Sequence, residues 1–349
     1  MNWVPSKSIN HEMVKELLEK CQEKNQFTND GPNVKLLEQF ICNKLEIDDT
    51  KSVIVVVNAS LGIQILTHSI TMFQNQELNW ATQSFTFPPS TQGTLKNSII
   101  LDIDLEGGIN LDEVTENING LIITNVFGNI VDIDKYVNYC QKNNKFLIFD
   151  NAATSYTFYK NKNCVNYGDG CIISFHHTKP FGFGEGGAII VEKKYEDTIR
   201  KLINFGIGLY PDKYYSVDAN NCKMSDISAV YIYQYLYENF DFIIKKHQAL
   251  FNYLENKIME LNLNIQLFPS FHDKYKNCVS CFCLLFNSND TSKNIQKKLL
   301  DCDIFCRKYY HPLKDTKNTI DIYNKILCIP CHKDMNIIDI DFILNIIIN

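Results

Sequence analysis

Lys179 is the residue from which a chemistry can be read. It sits in Ser174-Phe175-His176-His177-Thr178-Lys179-Pro180-Phe181-Gly182-Phe183-Gly184-Glu185-Gly186-Gly187, a turn of glycines and aromatics. Apolar runs flank it, GCIISF from Gly170 and GAIIV from Gly187, and both read as short buried strands. A compact ammonium on a flexible stem forms Schiff bases once desolvation lowers its pKa. Most loop lysines are solvated, and on spacing alone that plainer reading has the advantage.

The residues upstream change the balance. Lys145 to Asp150 (KFLIFD) is an apolar strand ending in a carboxylate, 29 residues before Lys179. In open α/β sheets, ligands gather at the carboxyl ends of strands, where Asp150 falls. A lysine placed to capture an aldehyde and a carboxylate placed to pair with a pyridinium nitrogen are the two groups that pyridoxal 5'-phosphate (PLP) needs from its protein. A third element fits them. Ser52 to Val57 reads as a strand feeding Asn58-Ala59-Ser60-Leu61-Gly62, which opens a helix. Free N–H groups and the dipole at such a helix start favour a phosphate, although Ser60 could equally serve as the N-cap.

From Phe149 to Val191 the chain reads FDNAATSYTFYKNKNCVNYGDGCIISFHHTKPFGFGEGGAIIV. This resembles the core of the DegT/DnrJ/EryC1/StrS family of nucleotide-sugar aminotransferases, with its EDAAQ…YKG…GD…SFxxxKxxxxGEGG pattern. The resemblance runs from about Phe27 onward. It implies the fold type I α/β architecture of PLP-dependent transferases. The three-layer large domain with a mostly parallel sheet would span residues 1–240, and a smaller C-terminal α/β domain residues 241–349.

The same resemblance assigns roles. Lys179 would carry PLP and Asp150 would face its ring nitrogen. Ala59, Ser60 and Ser174 would hold the phosphate, with Ala59 standing where the family has glycine in SSGT or SNGT. Phe87, the last aromatic of ATQSFTFP, would stack on the ring. Asn221, in NNCKMSDISA, would reach the PLP phosphate of a neighbouring subunit, which implies a homodimer. Asn29 in FTNDGPNVKLLEQF, Asn125 ahead of VFGN, His176, and Arg307 and His311 in RKYYHPL would contact substrate. One departure matters: Ala153 replaces the Gln or His that the family carries three residues after its aspartate. Water, Asn151 or Thr154 could stand in for it.

The activity implied is amino transfer from L-glutamate to a nucleotide-linked ketosugar. SFHxTK, EGG and NxKMS are most similar to enzymes that make dTDP-4-amino-4,6-dideoxyglucose (viosamine) from dTDP-4-keto-6-deoxyglucose. A 3-keto or other nucleotide sugar is one alternative, and a non-catalytic regulator of the same fold is another. In the related sugar dehydratases histidine stands at the lysine position, so Lys179 argues against that chemistry.

Composition is consistent with this reading. The chain has 349 residues, 45% hydrophobic and 21% charged, and a net charge of −6. An acidic surface offers nothing to neutralise a nucleic-acid backbone. No basic, apolar leader opens the chain, and the apolar C-terminal run is broken by Asp339 and Asp341, so a soluble cytoplasmic protein is expected. Thirteen cysteines scattered through apolar segments suit reduced, buried thiols. Cys302-x3-Cys306 and Cys328-x2-Cys331-His332 lack zinc-ribbon spacing, and no metal is expected. The glycines after Lys179 lead into a strand, with neither a helix nor Gly-Lys-Ser/Thr following, which excludes Rossmann and P-loop sites.

Overall fold

The computed structural model describes residues 1–269 and 277–349. Its centre is a seven-stranded sheet of β1 (Lys51–Val56), β2 (Trp80–Gln83), β3 (Ile99–Leu101), β4 (Gly120–Thr124), β5 (Phe146–Asp150), β8 (Gly170–Ser174) and β9 (Gly187–Glu192). A small hairpin, β6 (Phe158–Tyr159) and β7 (Lys162–Asn163), lies between the fifth strand and β8. The sheet order is β1-β9-β8-β5-β4-β2-β3. Strands from β8 to β3 pair in parallel, and β9 alone runs antiparallel to both its neighbours.

These strands are apolar on both faces because both are covered. Leu147 and Phe149 of β5 join one core cluster while Ile148 joins the other. Val53 and Val55 against Ile54 and Val56 in β1, and Ala188 and Ile190 against Ile189 and Val191 in β9, repeat the division. One face is covered by α1 (His11–Glu23), α2 (Pro32–Lys44) and α4 (Ile133–Lys142). The other takes α3 (Ala59–Gln74) and α5 (Glu196–Leu202). Side-chain caps start several helices: Asn10 accepts from the Met13 N–H, and Asp132 from that of Lys135.

The 35-residue α6 (Asp226–Glu260), capped by Ser225, runs unbroken past residue 240. Its buried residues up to Ile244 pack with the sheet, and those from Leu250 pack with the C-terminal unit. That unit is an antiparallel sheet of β10 (Gln266–Leu267), β11 (Cys281–Leu285) and β12 (Ile326–Pro330), with α7 (Asn289–Asp301), α8 (Lys317–Lys325) and α9 (Ile337–Ile348). Phe282 and Leu284 of β11 face its own helices, whereas Cys281 and Cys283 face Phe85 and Phe127 of the large unit. The N-terminus also belongs here, since Met1 and Trp3 pack against these two clusters. Asp102, just after β3, fastens the units by accepting from Thr316 Oγ1 (2.6 Å) and the N–H groups of Asn318 (2.9 Å) and Thr319 (3.1 Å). No helix among the described residues is long and apolar enough to cross a membrane.

Where α6 passes between the units, His247 is 2% exposed and its Nδ1 lies 2.7 Å from the Val279 carbonyl oxygen. Burial holds the imidazole neutral and lowers its pKa from 6.5 to about 4. An unfolded chain therefore takes up a proton that the folded chain refuses between those values. This contribution to stability is complete above 6.5 and is lost as the pH falls towards 4. At one pH unit per 1.36 kcal/mol it amounts to about 3 kcal/mol at most. Unfolding midpoints measured across this range should fall less steeply with acid for His247→Gln than for the wild type.

Candidate active site

The carboxyl ends of the strands open onto a cavity of about 470 Å³. Asp150 ends β5, Ser174 ends β8, Thr124 ends β4, and the first residues of α3 follow β1; all of them line it. Lys179 enters from the turn that reverses the chain between β8 and β9. The turn is tight: a Cβ on Gly182 would collide with the His176 carbonyl. A Cβ on Gly187 would come within 2.6 Å of the Ala59 nitrogen, so glycine there lets β9 abut the start of α3.

Lys179 and Asp150 sense each other's charge in this pocket. Burial lowers the pKa of the Lys179 amine, against the opposing pull of Asp150 and Cys281. Asp150 is 5% exposed. Burial raises its carboxyl, opposed by a hydrogen bond from the Ala152 N–H (3.0 Å) and by Lys179. Each is a desolvated group short of a partner for its charge. Such a pair suits a ligand carrying an aldehyde at one end and a basic ring nitrogen at the other.

The phosphate end fits as well. Asn58, not Ser60, caps α3, accepting from the Leu61 N–H at 2.9 Å. Ala59 and Ser60 then occupy the first helical turn, where N–H groups lack intrahelical acceptors, and both line the cavity. Ala59 has no positive φ, so alanine in place of glycine leaves its N–H available.

Of the remaining residues singled out in the sequence, Phe87, His176 and Arg307 also line the cavity. Phe87 is 54% exposed, its ring centroid 6.2 Å from that of Tyr310. His176 bonds Thr178 through Nδ1 (2.8 Å) and lies 3.4 Å from Glu185. Arg307 stacks its guanidinium over the Trp3 ring at 4.8 Å. Four others lie elsewhere. Asn125 is fully buried and committed to the fold, donating to Asn151 Oδ1 (2.8 Å) and accepting from the Val131 N–H (3.1 Å). His311 is exposed beside Tyr323. Asn29 and Asn221 are exposed too, near the start of α6, where the Asp226 N–H bonds the Phe27 carbonyl (2.9 Å).

Neither suggested substitute for the missing side chain at Ala153 lines the cavity. Asn151 pairs with Asn125, and Thr154 Oγ1 donates to the Asn125 carbonyl (2.6 Å). The C-terminal unit contributes instead: Ser280, Cys281, Tyr309 and Tyr310 line the pocket along with Ala153. Tyr310 stacks on Phe127 with centroids 5.1 Å apart, and burial followed by the nearby Cys281 and Asp150 pushes its hydroxyl pKa up. Thr124 and these four escaped the sequence reading. The paired aromatics of RKYYHPL were the available signal for Tyr309 and Tyr310.

With this geometry in place, comparison with known proteins is informative. The model of the DegT/DnrJ/EryC1/StrS aminotransferase family matches residues 8–347. The chain belongs to this family. Like other members, it is a PLP-dependent sugar aminotransferase. A dTDP-4-amino-4,6-dideoxy-D-glucose transaminase of Shigella dysenteriae is 24% identical over 359 residues, covering 95% of this chain and 93% of that one. The structure of DesI in the presence of its TDP-sugar product has a TM-score of 0.82 at 19% identity, covering 99% of this chain and 92% of that one. An E. coli GDP-4-keto-6-deoxy-D-mannose-3-dehydratase with bound hydrated PLP reaches 0.83 at 13% identity, covering 99% of each. At these identities the structural likeness establishes the fold alone.

One feature of this aminotransferase lies outside its motifs. Lys7, from the segment that starts on the C-terminal unit, donates its ammonium to the carbonyls of His177 (2.7 Å), Lys179 (3.0 Å) and Gly182. Its Nζ also lies 5.0 Å from the Tyr235 ring centre. Burial, and then the nearby Lys333, lowers its pKa to about 7. The turn that carries Lys179 is thus held by an amine 172 residues away in sequence. Such bonds are worth about 0.5–1.5 kcal/mol each for a neutral donor and more for a charged one. Lys7→Met should weaken PLP binding by roughly tenfold, about 1.4 kcal/mol, with the helical content unchanged. Titration of the apo protein with PLP, followed by absorbance, measures this.

Proposed function

We propose that this aminotransferase moves the amino group of L-glutamate onto a nucleotide-linked 4-keto-6-deoxy hexose, converting dTDP-4-keto-6-deoxyglucose to dTDP-4-amino-4,6-dideoxyglucose. The observation that carries the reading is that Lys179 and Asp150 line one cavity and feel each other's charge, with Ala59 and Ser60 of α3 on its wall. The Shigella relative's activity supports the choice of sugar, as do the SFHxTK and NxKMS motifs.

When bound, PLP supplies an aldehyde for amine capture and a ring that draws electrons from the adjacent carbon. Lys179 supplies the amine. Burial shifts Nζ towards its neutral form, the state able to take a proton from the Cα of glutamate. Asp150 would keep a proton on the ring nitrogen, since a buried carboxylate is stabilised by a cation beside it. The N–H groups of Ala59 and Ser60 and the hydroxyl of Ser174 would hold the phosphate. Arg307, over Trp3 at the rim, is the cation available to an anionic donor or diphosphate. The overall exchange balances: glutamate leaves as 2-oxoglutarate and the sugar carbonyl becomes an amine.

We also infer a homodimer in which Asn221 serves the partner's cavity. It lies outside its own cavity, on a face with other exposed residues of an apolar kind. Tyr214 is 77% exposed, Tyr215 60% and Val217 85%, more than an isolated surface usually leaves uncovered. The Asn29 loop lies on the same side, which gives that residue the same route to a neighbouring substrate.

Purified protein with PLP should release 2-oxoglutarate in proportion to dTDP-4-keto-6-deoxyglucose when given glutamate. Lys179→Ala should lose the absorbance of the lysine-bound cofactor and at least about 10³-fold of the rate. Release with a 3-ketosugar or another nucleotide, and none with this substrate, would replace the proposed sugar. For the dimer, Lys179→Ala and Asn221→Asp chains, each inactive alone, should regain about one quarter of wild-type activity on random mixing, because half the dimers are mixed and hold one intact site. No recovery from chains that do form mixed dimers would sink the shared site.

A further inference from the structure

Three cysteines meet at the wall of the cavity. Cys281 and Cys283 are alternate residues of β11 and share its inner face, and Cys328 of β12 is the register partner of Cys283. Cys283 Sγ lies 3.5 Å from Cys281 Sγ and 3.6 Å from Cys328 Sγ, and all three sulfurs lie within 4.8 Å of one another. Each residue is at most 4% exposed, and all are free thiols.

Buried cysteines often act only as small apolar side chains. This arrangement goes further. A tetrahedral zinc ion with Zn–S bonds of about 2.3 Å sets its sulfurs about 3.8 Å apart, and the trio already has nearly that spacing. Thiolates are soft donors that select Zn²⁺ and similar ions over hard ones. Access exists as well, because Cys281 lines the 470 Å³ cavity. Burial alone would push its thiol up, yet hydrogen bonds from Cys283, Cys328 and Ser280, with the charge of Lys179, bring it well below the usual value. Cys283 and Cys328 are pushed up, chiefly by burial. Thiols must ionise to bind such an ion, so loading releases protons.

We propose that Cys281, Cys283 and Cys328 form a binding site for one thiophilic d¹⁰ cation of the Zn²⁺ or Cd²⁺ kind, loaded through the active-site cavity. Cys281 is the member of the trio that faces the cavity. The sequence patterns Cys302-x3-Cys306 and Cys328-x2-Cys331-His332 do not make this site. The Cys331 sulfur faces His247 at 3.7 Å, and His332 Nε2 bonds the Asn2 carbonyl at 3.0 Å.

The test is a Cd²⁺ titration of the holoenzyme in a phosphine reductant, read by thiolate-to-cadmium charge transfer in the ultraviolet. One equivalent should saturate the band and release protons as the thiols ionise. Cys283→Val and Cys328→Val should each weaken binding by more than the roughly hundredfold that an outer-shell change costs. Cys302→Ser, which alters an exposed thiol at the end of α7, should leave the band unchanged. An absent band, or one unaffected by both valine variants, overturns the site. Should the valine variants fail to fold, X-ray absorption on the wild-type Cd²⁺ complex decides: three sulfur neighbours are required, and fewer refute it. Because the readout is metal binding, this outcome is independent of which sugar the enzyme aminates.

Discussion

The constraint that organises this molecule is desolvation at one sheet edge. Asp150 is withdrawn from water and Lys179 is half-buried beside it, and the Ala152 N–H, Cys281 and each other's charge offset only part of the cost. A buried group short of counter-charge costs several kcal/mol in general, so the surrounding chain must hold both in place against that cost. Asp150 is held because β5 lies inside a parallel sheet, covered on both faces. Lys179 is held because β9 runs against its neighbours: the chain must reverse at the carboxyl edge, and the reversal carries the lysine there.

Both ends of the chain then close on this edge. The N-terminal segment starts on the C-terminal unit, where Met1 and Trp3 pack, and reaches Lys7, whose ammonium gathers three carbonyls of the lysine turn. From the other side, Asp102 anchors the start of α8, and β11 and the tyrosines after Cys306 form the opposite wall. The cavity is therefore a joint between units, and α6 is the rigid member that spans it. Small changes in how the units meet would alter the wall bearing Tyr310 and Cys281 while leaving Lys179, Asp150 and α3 fixed to the sheet.

This division explains what the sequence made legible. Asp150 and Ser174 end apolar strands, Lys179 and the α3 start follow such strands by a few residues, and continuous apolar runs mark those strands plainly. α1 is legible in the same way, since a capping asparagine precedes a regular amphipathic run. Thr124, Tyr310 and Cys281 were not, because their place depends on how distant elements pack. Asn125 shows the reverse error. Its position at a strand end suggested a pocket residue, but its amide satisfies Asn151 and Val131 inside the fold. The cysteine trio was hidden for a similar reason: two members are neighbours by strand alternation and the third by cross-strand register, relations that linear Cys spacing does not encode.

The fold by itself does not select the reaction. The GDP-4-keto-6-deoxy-D-mannose-3-dehydratase superposes on this chain as well as DesI does, so the backbone that positions the edge serves more than one chemistry. What differs has to lie in side chains at the edge. A lysine whose pKa is lowered by burial can both bond covalently to an aldehyde and, once released, carry a proton from one carbon to another. An imidazole at that position could move the proton but would leave the aldehyde without its covalent anchor. The turn from Phe175 to Gly186, tightened by Gly182 and held by Lys7, matters because it sets the reach of one amine.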